Sequence, residues 1–245
     1  MDNDENVWKT FGVHPHHAND FDMITYMALN ALLTKSKRVV ALGEIGLDYS
    51  SKNSVSRDIQ IRTFDLQLRM AMDLKLPICL HLRESDEDGL ATLKDVGLPS
   101  GYPIHLHCFN GTWEKCQIWL DKYPNLRVGF TPMITFKRAT HLHDVIKRIP
   151  LNRILLETDS PYFVPRQLSE SERTIDFSHP GLIIHAAAQV AKLKKVTIET
   201  VIKAHKRSLF DVYKIPPVVG FTIEAYEYTC REEEEELDRI IAGID

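Results

Sequence analysis

The sequence predicts an α/β protein of the TIM-like barrel type, incomplete, with about six of the roughly eight strands that such a barrel requires. Two observations carry this. Short apolar runs rich in β-branched residues alternate with stretches of helical spacing, the pattern of a parallel sheet, and the first of these runs begins almost at Met1. The six runs are TFGVH at 10–14, RVVALG at 38–43, LPICLH at 76–81, YPIHLH at 102–107, LRVGF at 126–130 and RILLET at 153–158. Helical periodicity is clearest over 21–35, 56–75, 84–95 and 137–148, each long enough for a crossover helix. A proline-spaced loop, SPYFVPRQLSESERTIDFSHPG, follows the last run, and helices are expected at 181–194 and 197–212. The barrel portion is expected over 1–212 and an acidic helical tail over 213–245, whose REEEEELDRIIAG run reads as a solvated helix face.

Charge and composition narrow the function. A formal net charge of −4 argues against nucleic-acid binding through a broad basic surface, so any such contact is local. No run approaches the ~18 apolar residues needed to span a bilayer, and the opening MDNDENVWKT is acidic and polar rather than signal-like. A soluble protein of the cytoplasm or nucleus is expected. Cys79, Cys108, Cys116 and Cys230 lack framework spacing and are expected to be reduced thiols.

The polar residues at the ends of the runs are the informative ones. Glu44 follows VVALG, His81 ends PICLH, His107 ends PIHLH and Asp159 follows ILLET. Four runs thus deliver a carboxylate or an imidazole at the C-terminal end, the face on which such barrels build active sites. Those donor types converging there suit a divalent ion. Strand alternation puts Leu42 with Glu44 and Cys79 with His81, and turns Ile104 opposite to His107. It also points Glu157 and His105 inward, where one of them could orient a ligating histidine by hydrogen bond.

Longer strings carry a family resemblance. GVHPHHA (12–18), GEIGLDY (43–49), Gln60, Phe64 and Gln67 ahead of LPICLHLRE, HCFNG (107–111) and ETDSPY (157–162) resemble, in order and spacing, the signature motifs of the TatD family of metal-dependent deoxyribonucleases. HPGL at 179–182 and DYS after GEIGL look more like the animal TatD-domain proteins of the second-member type. The resemblance implies a barrel of the metal-dependent hydrolase type and hydrolysis of DNA phosphodiesters, with substrate meeting the barrel mouth. It implies two divalent ions, magnesium or zinc, with Glu44 bridging them, His81 and His107 on one, and Asp159 on the other as handler of the attacking water. Paired ions about 3.5–4 Å apart lower the pKa of a shared water and neutralise phosphate charge. Arg83, two residues past His81, and His14 are placed to reach a phosphate oxygen. An ion pair with Glu84 or Asp86 for Arg83, and a turn-stabilising role beside Pro15 for His14, are the plainer alternatives.

The family pattern also opens with a strand bearing Asp-x-His-x-His, and none precedes Thr10. The resemblance and the strand count therefore agree on a deficit of about two βα units. The expectation is an opened barrel with unpaired edges, weak or single-ion binding, and impaired hydrolysis. The competing readings are a catalytically inactive binding module and an amide or phosphoester hydrolase of the same fold.

Overall fold

A computed structural model describes residues 7–166, 168 and 176–215. These residues form two compact units, the first over 7–110, 114–128 and 209–215, the second over 111–113, 129–166, 168 and 176–208. The expected acidic tail, apart from 213–215, lies outside the described residues, as do part of the proline-spaced loop and Cys230.

The first unit begins with β1 (Lys9–Phe11) and a 3₁₀ turn (Pro15–Asp20). It continues through α1 (Met23–Lys35), β2 (Val39–Asp48), α2 (Arg57–Leu74), β3 (Ile78–Arg83), α3 (Asp86–Asp95) and β4 (Ile104–His107). α4 (Trp113–Lys122) and β5 (Arg127–Phe130) follow. Successive strands pair in parallel from β1 to β5. Strands of a parallel sheet are covered on both faces, which is why they read as near-continuous apolar runs. In β2, Ala41, Leu42, Ile45 and Leu47 are all fully buried, each large side chain contributing about 1.5–3 kcal/mol of apolar transfer.

The second unit takes up the end of β5, a 3₁₀ turn (Pro132–Thr135), α5 (Thr140–Arg148), β6 (Ile154–Leu156) and α6 (Ile183–Lys194). The Glu157 N–H donates to the Phe130 carbonyl at 3.0 Å, so β6 runs on beside the end of β5. The last helix, α7 (Ile198–Tyr213), is assigned to this unit up to Ser208 and to the first unit thereafter. Six strands alternating with helices among the described residues agree with the incomplete TIM-type architecture expected.

α2 fixes the positions of two segments. Its buried face is Gln60, Thr63, Phe64, Gln67, Leu68 and Ala71, the i, i+3, i+4, i+7 stripe of an amphipathic helix. The Gln60 amide accepts the Asp48 N–H at 2.8 Å and donates to the Asp48 and Val55 carbonyls at 3.1 and 2.8 Å. Gln67 does the same for Val13, accepting its N–H at 2.7 Å and donating to its carbonyl at 3.1 Å. Buried amides cost stability unless bonded, and here the bonds pin the end of β2 and the turn after β1.

Several element boundaries differ from expectation; β1, for one, ends at Phe11 rather than at His14. β2 does not stop at Gly43 but continues to Asp48, and β3 continues past His81 to Arg83. Glu44 and His81 therefore lie inside strands rather than at their ends. α4 was not singled out by periodicity, its buried positions being only Cys116 and Trp119. Among the described residues no helix is long and apolar enough to cross a membrane, and Cys79, Cys108 and Cys116 form no disulfide.

Candidate metal centre

β2 and β3 meet with an irregular register. Gly43 pairs with Cys79 and Ile45 with Leu80, leaving Glu44 as an extra residue on β2. A bulge of this kind re-aims a side chain and breaks strand alternation, so simple parity from Leu42 does not fix the direction of Glu44. Two residues on, Gly46 has φ 146° and lies so close to β3 that a Cβ there would fall 2.0 Å from the His81 carbonyl oxygen. Only glycine tolerates both the backbone conformation and the approach.

The bulge sets Glu44 between two imidazoles. Its Oε2 is 3.6 Å from His81 Nδ1 and its Oε1 is 3.6 Å from His107 Nε2. The His14 ring packs edge-on to His81 with centroids 4.3 Å apart. His14, Glu44 and His81 can each offer one ligand atom, all within 4.8 Å of one another. The first unit thus gathers Glu44, His81 and His107, three of the four expected ligands, and adds His14. Asp159 stands in the second unit, three residues past β6, with φ 52° and its carbonyl accepting the Tyr162 N–H.

Two further residues join this cluster, and the sequence reading passed over both. Asp48, 3% exposed at the end of β2, accepts the Ser50 N–H on Oδ1 at 2.8 Å and the His16 Nε2–H on Oδ2 at 2.8 Å. The same Oδ2 is 3.5 Å from His81 Nε2. Both residues sit within strings already singled out, Asp48 in GEIGLDY and His16 in GVHPHHA, but neither ends an apolar run.

Electrostatics favour carboxylates that stay ionised and a His14 that stays neutral. Burial pushes Asp48 up, but hydrogen bonds from Ser50 and His16 outweigh it and hold the carboxyl at about 2. Burial likewise raises Glu44, and His81, His107 and His14 together bring it below the usual carboxylate value. His14 is lowered to about 4, first by burial and then by the neighbouring His81. Its Nδ1 accepts the His16 N–H at 3.2 Å, so the neutral ring carries its proton on Nε2 as a donor.

Do these residues fit a cation? Glu44 oxygens and imidazole nitrogens converge at 3.6 Å, slightly too long to satisfy one another directly. Donors about 2.1 Å from one shared ion stand about 3–3.5 Å apart, close to that spacing. Nitrogen and oxygen donors without thiolate suit Mg²⁺, Mn²⁺ or Zn²⁺. The set fits a divalent ion.

Arg83 closes β3 with an exposed side chain, its carbonyl accepting the Tyr49 N–H at 2.9 Å. Asp86, one of its expected ion-pair partners, accepts Lys115 Nζ at 2.8 Å and Trp119 Nε1 at 3.1 Å. His105 is buried as expected, and its Nδ1 is hydrogen-bonded to the Tyr213 hydroxyl and 3.7 Å from Cys79 Sγ. Glu157 is half-buried just past β6 in the second unit.

Parallel strands alternating with helices, with imidazoles and carboxylates gathered on β2, β3 and β4, define a TIM-type α/β protein with a candidate metal centre. Residues 1–214 match the family model described as TatD related DNase. The chain belongs to the TatD-related DNase family. It is 37% identical over 209 residues to the human protein named 3'-5' RNA nuclease TATDN2, covering 85% of this chain but only 27% of that protein. It is also 37% identical over 194 residues to the 3'-5' ssDNA/RNA exonuclease TatD of Pantoea sp. (strain At-9b), covering 79% of this chain and 72% of that one. Among solved structures, the TatD homologue YJJV from Escherichia coli K12 superposes with TM-score 0.74 at 25% identity, covering 88% of this chain and 80% of that one. A TatD-family hydrolase from Entamoeba histolytica gives 0.72 at 26% identity, covering 85% and 75%.

Proposed function

We propose that this chain is a metal-dependent nuclease that hydrolyses phosphodiesters in DNA, acting on single strands or ends. The observation that carries the reading is the Glu44 carboxylate held between His81 and His107, each 3.6 Å from one of its oxygens. Glu44, His81 and His107 would hold the ion, magnesium or zinc, which when bound supplies an activated water and neutralises phosphate charge. His14, with its proton on Nε2, donates a hydrogen bond to a phosphate oxygen, and exposed Arg83 offers its planar fork to another. For Asp159 we propose the role its ETDSP string implies, acceptance of a proton from the attacking water. RNA is the second substrate to weigh, because the names of both relatives include it.

The test is incubation of the purified chain with end-labelled single-stranded DNA and RNA oligonucleotides in Mg²⁺, Mn²⁺ or Zn²⁺, with and without EDTA. Metal-dependent release of nucleotides, lost in Glu44→Gln and reduced in Asp159→Asn, is the expected result. No release from either polymer at high enzyme concentration with any of the three ions would overturn the reading and favour a non-catalytic binding module. Release from RNA alone would replace DNA as the substrate.

A further inference from the structure

We infer that Asp48 is a positioning residue for the metal centre, holding the proton of His81 on Nε2 so that the Nδ1 lone pair faces Glu44 and the cation. The inference rests on the reading of His81 as a metal ligand. A neutral imidazole carries one proton, and its two nitrogens face two carboxylates here, Nδ1 toward Glu44 Oε2 at 3.6 Å and Nε2 toward Asp48 Oδ2 at 3.5 Å. With the proton on Nδ1, the Nε2 lone pair would confront the Asp48 carboxylate inside the fold, where two acceptors repel each other and neither meets water. With the proton on Nε2, that buried nitrogen, which completes no hydrogen bond in this geometry, has an anionic oxygen 3.5 Å away, and attraction replaces the repulsion. Nδ1 is then left as the ligating atom beside Glu44.

The surroundings of Asp48 make it suitable as the fixed member of this pair. Its Oδ1 is held by the Ser50 N–H and its Oδ2 by His16 Nε2–H, both at 2.8 Å. Its backbone N–H and carbonyl are both bonded to Gln60. At 3% exposure it has no room to swing away. The oxygen that faces His81 is therefore set from three directions, with His16 as a second donor sharing it. A carboxylate that accepts the distal N–H of a metal-bound histidine fixes its tautomer and ring orientation, and removing such a partner typically costs about 10–100-fold in metal affinity.

The experiment is nitrogen NMR of the metal-free protein labelled at histidine, with the His81 ring identified as the resonance pair missing from His81→Asn. The expected result is an Nε2–H tautomer for His81, which shifts toward a mixture in Asp48→Asn. Calorimetric titration with Mn²⁺ should give a dissociation constant about 10–100-fold weaker in Asp48→Asn, while the circular dichroism spectrum is retained. A His81 proton on Nδ1 in the metal-free wild type overturns the inference, and so does Mn²⁺ affinity in Asp48→Asn within about threefold of wild type. Should Asp48→Asn fail to fold, the wild-type tautomer alone decides. Should the wild type bind none of these ions, the metal-centre reading fails, and the tautomer still reports whether Asp48 holds the His81 proton.

Discussion

Replacing Gly46 with alanine probes the contact on which the metal centre is built. The new Cβ would lie 2.0 Å from the His81 carbonyl oxygen and 2.9 Å from its carbonyl carbon, whereas real Cβ atoms essentially never approach within 3.0 Å. The obstacle is backbone in a paired strand, so relief requires β3 to move away from β2 by about 1 Å, disrupting the pairing of Gly46 with His81 and of Leu47 with Leu82. The residue would also have to hold φ 146°, a conformation open to glycine at a cost of about 1 kcal/mol or more to other residues. Overpacking a close-packed interior adds about 1–3 kcal/mol. Together these give a loss of about 2–4 kcal/mol. Gly97 supplies the control, because its φ is 73° and a Cβ there would meet nothing within 4 Å, leaving the conformational cost of about 1 kcal/mol alone. With a urea m-value of about 2–3 kcal/mol/M, Gly46→Ala should shift the unfolding midpoint by about 1 M or more and Gly97→Ala by less than half of that. If the two variants unfold within about 1 kcal/mol of each other, β3 does not constrain Gly46 and the account of the bulged strand is wrong.

Tyr102 donates its hydroxyl to the Ala71 and Leu76 carbonyls, both at 2.8 Å, and burial raises its phenol to about 12 from an ordinary value of 10.0. The folded value exceeds the unfolded one, so its contribution of about 2 kcal/mol is complete below pH 10 and lost as pH rises through 12; Tyr102→Phe should flatten the fall in stability over that window in urea titrations. Asp211 in α7 accepts Arg127 Nη2 at 3.0 Å, and Arg127 is 8% exposed, so Asp211→Ala leaves a buried guanidinium without that partner and should cost about 2–3 kcal/mol by chemical denaturation. An unchanged midpoint would mean the pair contributes nothing. Mn²⁺ at about 100 times its dissociation constant should raise stability by about 2.7 kcal/mol in thermal melts, EDTA should reverse the rise, and Glu44→Gln should show little of it; an equal rise in Glu44→Gln would place the ion elsewhere.

The strand–helix alternation was legible because covered parallel strands leave continuous apolar runs, and all six runs became strands. What the runs hid was how far the strands extend. Glycine and glutamate in GEIGLD interrupt an apolar reading of β2, yet the strand passes through them, since Glu44 is absorbed as the extra residue of a bulge and Gly46 is required by the approach of β3. Glu44, His81 and His107 could be found from their places near the ends of the runs. Asp48 and His16 could not be found that way, because their partnership joins positions 32 apart across a turn whose path is set by tertiary packing. α4 was overlooked for a similar reason: with only Cys116 and Trp119 buried, its apolar stripe is too thin for periodicity to register.

The two glutamines of α2 act toward the main chain as a neighbouring strand would, each presenting one acceptor and one donor to a single residue, Asp48 or Val13. Seven residues of helix separate them, a rise of about 10.5 Å along the axis with both side chains on the same flank. The segment bearing His14 and His16 and the segment ending in Asp48 are thereby spaced by a helical ruler, independently of the loops that connect them. Insertions within those loops leave the spacing intact. One residue added to α2 between the glutamines would turn one of them by about 100° away from its partner and separate the histidine turn from the carboxylate it meets.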